Sequence, residues 1–582
     1  EHKAKNDNKQ IHQLDRTNQY RRRPISRQNY SESRASMGSR WILCGVLLIP
    51  LCSDALNEDN QPVVNTPLGR IRGRRELFAY SNQLLDVFNG VPYAKSPTIT
   101  GRFRKSEPIN RFTEDGSLYQ ATWYKPGCIQ PLGLFGLNES TVFSEDCLYL
   151  NIWRRSTTTA LDRKPVMLII HGGGYTAGDG HEYDFRGTQL SAFGDVLAVN
   201  VNYRLGLFGF LDLGRPEAPG NMGHTDQVLA MRWIQSYIRY FGGDPQRVTL
   251  FGVSAGGFSI SSHLITTYSK DLFHAAIIDG GVITRAKTDS QDEQKLGLLK
   301  IAKGLNCSGT DTAALLTCFS EASAAHLLEQ QQKHSHLKIF TPPTHGNDFL
   351  RDIPEKIVNH HSKEFTRVPL IVGDCSNEGS IVFYPDLEQV NLTSVNETLA
   401  FLEESIGSHP LRHNFNYDSI AVGYNMSEGG SPEYYRNITM DFVGDGFFVC
   451  PVRNYAHHYS AVAPTHFYFW ERLTSQKVSL DPLTWGAFHG TPFYHMIGSQ
   501  FTYFENSTIS QEDADYVQKA VKMVTDFAAN PHEELRFGEI RWPRYQQSDR
   551  NVFIFGKDKN YVRNGHPRDA YCDAVWKAYE DI

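Results

Sequence analysis

Five strand-like apolar runs, Val166 to Ile170, Val196 to Asn202, Val248 to Gly252, Val368 to Gly373 and Thr465 to Glu471, alternate along the chain with helix-patterned stretches such as Asp226 to Tyr240. This alternation most constrains the architecture: strands separated by helical crossovers pair in parallel and carry the helices on their faces. The expected fold class is therefore α/β, with a large, mostly parallel central β-sheet flanked by helices. A length of 582 residues would suggest about four domains at roughly 150 residues each. No repeat and no long linker divides the chain, however, and stretches such as Ser156 to Lys164 and Gln330 to Lys333 read as local loops. A single domain over residues 56–582 is expected. In such sheets the reacting groups gather at the carboxyl ends of the strands.

The front of the chain has a different character. Residues 1–36 are polar, include the basic run Arg21, Arg22 and Arg23, and show no apolar periodicity, so they read as a disordered or non-native upstream segment. Residues 37–55 have the layout of a secretory signal peptide. Met37 and Arg40 precede the apolar run Trp41 to Leu51, and Ser53 and Ala55 are the small residues before a cut. That run is about half the ~20 residues needed to span a bilayer, so no membrane anchor is expected. A secreted location implies oxidising conditions. Of nine cysteines, Cys44 and Cys52 fall in the leader; the other seven are an odd set, which leaves at least one thiol unpaired. No Cys-x-x-Cys pair is present, and no metal site is expected. Asn138, Asn306, Asn391, Asn396, Asn425, Asn437 and Asn506 each stand two residues before Ser or Thr, as glycosylation requires. With a net charge of −6, the chain offers no global attraction for nucleic acid or anionic lipid.

Three of the strand-like runs lead to residues with chemistry. Gly252-Val253-Ser254-Ala255-Gly256 joins the run Val248 to Gly252 to a helix-compatible stretch, Gly257 to Thr266. A serine in a sharp strand-to-helix turn projects its hydroxyl above the sheet, and the flanking glycines remove the Cβ atoms that would clash there. His171-Gly172-Gly173-Gly174 follows Val166 to Ile170. The amides of Gly173 and Gly174, with that of Ala255, are expected to form a three-donor oxyanion hole. A serine needs a base, and the base an orienting carboxylate, in the chain order Ser, acid, His. Glu378 follows Val368 to Gly373, and His489 lies in Gly486-Ala487-Phe488-His489-Gly490. Spacing alone does not select them among 22 histidines. The pairs His360-His361 and His457-His458 read as surface or helical positions rather than metal ligands.

An ordered series of landmarks resolves the choice. Phe88-Asn89-Gly90-Val91-Pro92-Tyr93-Ala94, Arg102-Phe103, Ser144-Glu145-Asp146-Cys147-Leu148-Tyr149-Leu150-Asn151, Asn202-Tyr203-Arg204, Gly220-Asn221, Asp226-Gln227 and Phe241-Gly242-Gly243-Asp244-Pro245 all precede the serine turn. From about Pro62 to its end the chain closely resembles the type-B carboxylesterase and cholinesterase family of α/β-hydrolases. The resemblance implies a triad of Ser254, Glu378 and His489, and disulfides Cys128–Cys147, Cys307–Cys318 and Cys450–Cys572. It also implies structural ion pairs Arg102–Glu145 and Arg204–Asp244. Cys375 is left over and reads as a buried small apolar residue.

Departures from the family pattern bear on substrate. The tryptophan that cholinesterases place about ten residues before the Cys of Ser-Glu-Asp-Cys is replaced by Gly136-Leu137-Asn138, and two acids near their site are Val253 and Pro492 here. Without an aromatic cage or local negative charge a quaternary ammonium loses its specific attraction. The expected activity is hydrolysis of small, uncharged carboxylic esters by a secreted serine carboxylesterase, with an acyl-enzyme intermediate and no cofactor. The rivals are a cholinesterase-like enzyme and a catalytically silent, neuroligin-like adhesion protein. In Asp279-Gly280-Gly281 many relatives have Ser-Gly, so a serine that helps hold the triad acid is expected to be missing.

Overall fold

A computed structural model describes residues 61–131, 142–334, 342–360, 365–381, 391–406, 417–473, 486–503 and 509–576. The expected leader lies outside them, as do Leu137, Asn138, His361 and Asn506. The described residues fall within one compact unit, Ala55–Ile582.

Its centre is a sheet of 11 strands: β1 (Arg74–Phe78), β2 (Gln83–Pro92), β3 (Tyr149–Arg155), β4 (Lys164–Ile170), β5 (Leu197–Val201), β6 (Gly243–Val253), β7 (Ala275–Asp279), β8 (Leu370–Cys375), β9 (Thr465–Trp470), β10 (Asn551–Phe555) and β11 (Asn560–Asn564). They are ordered β1, β2, β3, β5, β4, β6, β7, β8, β9, β10, β11. From β5 to β10 every neighbouring pair is parallel. Antiparallel pairs close both edges. The five strand-like runs coincide with β4, β5, β6, β8 and β9, while the antiparallel edges carry no comparable signal in the sequence.

The parallel strands are largely apolar and buried because both faces are covered. Along β4, Val166, Leu168 and Ile170 enter one core, and Met167 and Ile169 enter the other, as the two-residue period of a strand requires. Five helices matter for the site: α1 (Met222–Tyr237), α2 (Ala255–Ile265), α3 (Cys450–Tyr459), α4 (Thr491–Ile497) and α5 (Gln511–Ala529). The first three pack on one face through residues such as Met231, Leu264 and Tyr455. The last two pack on the other through Met496, Val517, Val524 and Phe527. Each such side chain, fully buried, contributes about 1.5–3 kcal/mol.

Three disulfides, Cys128–Cys147, Cys307–Cys318 and Cys450–Cys572, bring their Cα atoms to 5.0, 5.8 and 5.4 Å. Cys375, at the end of β8, is a buried free thiol, and burial pushes it well above the ordinary cysteine range. Asn306, Asn391, Asn396, Asn425 and Asn437 are all exposed. His457 and His458 lie on α3.

Of the two expected ion pairs, Arg102–Glu145 forms through two bonds of 2.8 Å. The other expectation is corrected. Arg204 pairs with Asp226 of α1, with bonds of 2.7 and 2.8 Å from Nε and Nη2, whereas Asp244 accepts from Arg247 at 3.1 Å. The reason is topological: Asp244 lies at the amino end of β6 while Arg204 follows the carboxyl end of β5, and because these strands run in the same direction the two residues lie at opposite ends of the strands. Among the described residues no helix is long and apolar enough to cross a membrane.

Candidate active site

Ser254 stands between β6 and α2 with φ 57° and ψ −124°. A non-glycine residue held there stores strain of about 1–3 kcal/mol, and the surroundings enforce it. The Ser254 amide donates to the Asp279 carbonyl at 3.0 Å, and its own carbonyl accepts from Phe258 N at 2.8 Å. Gly256 is needed because a Cβ there would lie 2.1 Å from the Ile170 carbonyl oxygen. Ser254 is half-buried, and the residues on either side of it are buried.

That close approach brings the loop after β4 against the start of α2. A Cβ on Gly172 would sit 3.1 Å from that of Ser254. The loop then turns back on itself, with Gly173 at φ 95° and its carbonyl accepting from Thr176 N and Ala177 N at 3.0 Å each. Among the described residues, the amides of Gly173, Gly174 and Ala255 donate no hydrogen bond within the protein. His171 at the head of the loop stacks on Tyr203 at 4.3 Å. Burial pushes its imidazole down to about 4, so it stays neutral near pH 7.

Glu378 lies just beyond β8 and is almost fully buried. Its Oε1 accepts from the Cys375 amide at 2.8 Å, and its Oε2 bonds His489 Nδ1. The loops holding the two residues are joined by Asn377 N donating to the Ala487 carbonyl at 3.0 Å. His489 Nε2 is buried and has no partner among the described residues. One ring nitrogen is thus locked to a carboxylate, which fixes the tautomer, and the other is left to exchange a proton.

All six residues expected at the site, Ser254, Glu378, His489, Gly173, Gly174 and Ala255, thus sit at the carboxyl ends of β6, β8 and β4 or on the loop joined to Glu378. Val253 and Pro492 are buried. Sequence reasoning missed Phe448, whose ring lies 4.4 Å from that of His489. It also missed the buried Lys287, whose Nζ donates to the Val282 carbonyl at 2.9 Å and lies 4.6 Å from the Phe258 ring. Burial pushes that amine down to about 7. Neither residue sits in a pattern that spacing alone would flag.

A mostly parallel sheet with a strained serine between a central strand and its helix, an acid after a later strand and a histidine bonded to that acid define the α/β-hydrolase class. The chain belongs to the carboxylesterase family, which it matches over residues 60–574, and it is a carboxylic ester hydrolase. It is 31% identical to acetylcholinesterase-1 of Trittame loki, over 90% of this chain and 95% of that one. It is 32% identical to carboxylesterase 1E of Rattus norvegicus, over 84% and 89%. With the pyrethroid hydrolase Ces2a of Mus musculus it shares 31% identity, over 86% and 89%.

Proposed function

We propose that the chain is a secreted serine carboxylesterase that hydrolyses uncharged carboxylic esters through an acyl-enzyme. One observation carries this reading: among the described residues, His489 has one ring nitrogen bonded to Glu378 and the other buried without a partner, while Ser254 stands in a strained strand-to-helix turn. Ser254 Oγ attacks the ester carbonyl while its proton passes to His489 Nε2. Glu378 stabilises the imidazolium, and the amides of Gly173, Gly174 and Ala255 hold the oxyanion. His489 Nε2 then gives the proton to the departing alkoxide. Water repeats the sequence on the acylated serine, releasing the carboxylic acid and restoring Ser254.

The preference for uncharged esters is supported by Val253 and Pro492, buried and apolar where cholinesterases carry acids. Secretion is supported by three disulfides, which persist in oxidising compartments, and by five exposed glycosylation motifs. The test is to treat the purified protein with a fluorophosphonate and map the adduct, then compare turnover of a short nitrophenyl ester with that of a choline ester. An adduct on Ser254 and faster turnover of the neutral ester are expected. An absent adduct would refute the serine mechanism, and efficient choline ester turnover would move the assignment to a cholinesterase.

A further inference from the structure

The segment that carries His489 continues into α4, a helix whose first turn is poorly satisfied from within. Its N-cap, Gly490, supplies no side-chain acceptor, and Pro492 has no amide hydrogen. The free N–H of Phe493 is met from outside the helix: it donates to Asp279 Oδ2 at 3.2 Å. The other oxygen of that carboxyl group, Oδ1, accepts from the Tyr468 hydroxyl of β9 at 2.5 Å. The main chain of the same residue accepts from Ser254 N, and the next amide, Gly280 N, donates to the Gly373 carbonyl of β8 at 3.0 Å. A Cβ on Gly280 would lie 3.0 Å from the His489 ring and 3.3 Å from Glu378 Oε1. Asp279 and Gly280 thus touch the mountings of the serine, the acid and the histidine together.

We propose that Asp279 is a positioning residue for ester hydrolysis, its main-chain carbonyl holding the Ser254 turn and its carboxyl group holding the start of α4, so that one residue sets the placement of His489 relative to Ser254. The proposal rests on the assignment of those two residues as base and nucleophile. Asp279 is fully buried. Burial, and then the Glu378 charge, push its carboxyl well above the ordinary range, which favours the protonated acid. Asparagine is neutral and keeps both contacts: its carbonyl oxygen accepts from Phe493 N as Oδ2 does, and its amide takes the place of Oδ1 and donates to the Tyr468 oxygen, with that one bond reversed. A misplacement of about 1 Å in a reacting group can cost ~100-fold in rate.

The experiment measures kcat and KM on a nitrophenyl ester, with kcat normalised to sites titrated by a fluorophosphonate. Asp279→Ala is expected to lower kcat per titrated site at least tenfold with KM within twofold, and Asp279→Asn to stay within threefold of the parent. Tyr468→Phe deletes one atom and loosens only Oδ1; a drop in kcat per site of about threefold is expected, so the proposal remains testable if the alanine variant does not fold. A parental kcat per site in Asp279→Ala or Tyr468→Phe, or an asparagine variant as impaired as the alanine one, would overturn the positioning role. A parent protein that takes no adduct on Ser254 would instead overturn the assignment beneath it.

Discussion

Replacing Arg204 with methionine tests the ion-pair network beneath the site. The Arg204 side chain is 3% exposed and that of Asp226 is 0% exposed. Besides its two bonds to Asp226, Arg204 donates through Nη1 to the Arg102 and Arg104 carbonyls at 3.1 and 2.7 Å. Methionine keeps much of the length and removes every side-chain donor, leaving a buried carboxylate with the Ser106 hydroxyl at 2.8 Å and the main-chain N–H of residue 204 at 3.2 Å. Breaking such a pair costs about 3–5 kcal/mol, most of it the uncompensated charge. With an unfolding entropy of about 2.1 cal/mol/K per residue, the matched stretch 60–574 converts that loss into a fall in Tm of roughly 3–5 °C. Asp244 sits at the opposite, amino end of the parallel strands in a partly exposed pair with Arg247, a kind worth about 0–1 kcal/mol. Asp244→Asn should therefore shift Tm by about 1 °C or less. The double variant Arg204→Met, Asp226→Leu should recover part of the loss, because no buried charge is left. Scanning calorimetry at one pH on these three variants and on Asp226→Leu alone decides the matter. Equal shifts for Arg204→Met and Asp244→Asn, or a double variant as unstable as the two singles added together, would refute the reasoning.

Gly173→Ala should lower kcat by about 10²-fold or more, because its Cβ would fall 2.2 Å from the Ala177 carbonyl oxygen and the amides would have to move; a fluorophosphonate inactivation rate equal to the parent's would count against it. His495 is buried beside Trp470, and burial pushes its imidazole down to about 4. The unfolded chain takes up this proton near 6.5, so the stability held by the neutral ring is present above that pH and lost as pH falls toward about 4. The Tm gap between the parent and His495→Gln should accordingly narrow on acidification over that window, and a gap that widens would reverse the sign. Loss of the Cys450–Cys572 bridge, whose ends are 122 positions apart, should cost more than loss of Cys307–Cys318, 11 positions apart. Chain entropy gives about 5 against about 3 kcal/mol, to be read from denaturation midpoints of the paired Cys→Ser variants. Enzymatic deglycosylation should lower the mass of the protein purified from a eukaryotic host, and Asn437→Gln should remove one step of that change.

The sequence determined what depends on local order. Two-sided apolar runs marked β4, β5, β6, β8 and β9, because a strand covered on both faces is predominantly apolar on both. The glycines around Ser254 and after His171 marked backbone that passes where a Cβ cannot. The likeness carried by ordered landmarks selected Glu378 and His489, which no spacing rule distinguishes from the other acids and histidines. What joins distant residues waited for the tertiary structure. The antiparallel edges were invisible because a half-exposed strand such as Asn560–Asn564 has no strong pattern. Nothing in the sequence pairs Asp226 with Arg204, and only the parallel order of β5 and β6 rules Asp244 out for Arg204 and leaves Asp226 in reach. In the sequence Asp279 is only a departure from the family pattern; in the fold its carboxyl group turns to Tyr468 and Phe493, more than 180 residues away along the chain. Reactive residue types follow from local chemistry, whereas a hydrogen bond between segments depends on which strand ends the topology sets side by side.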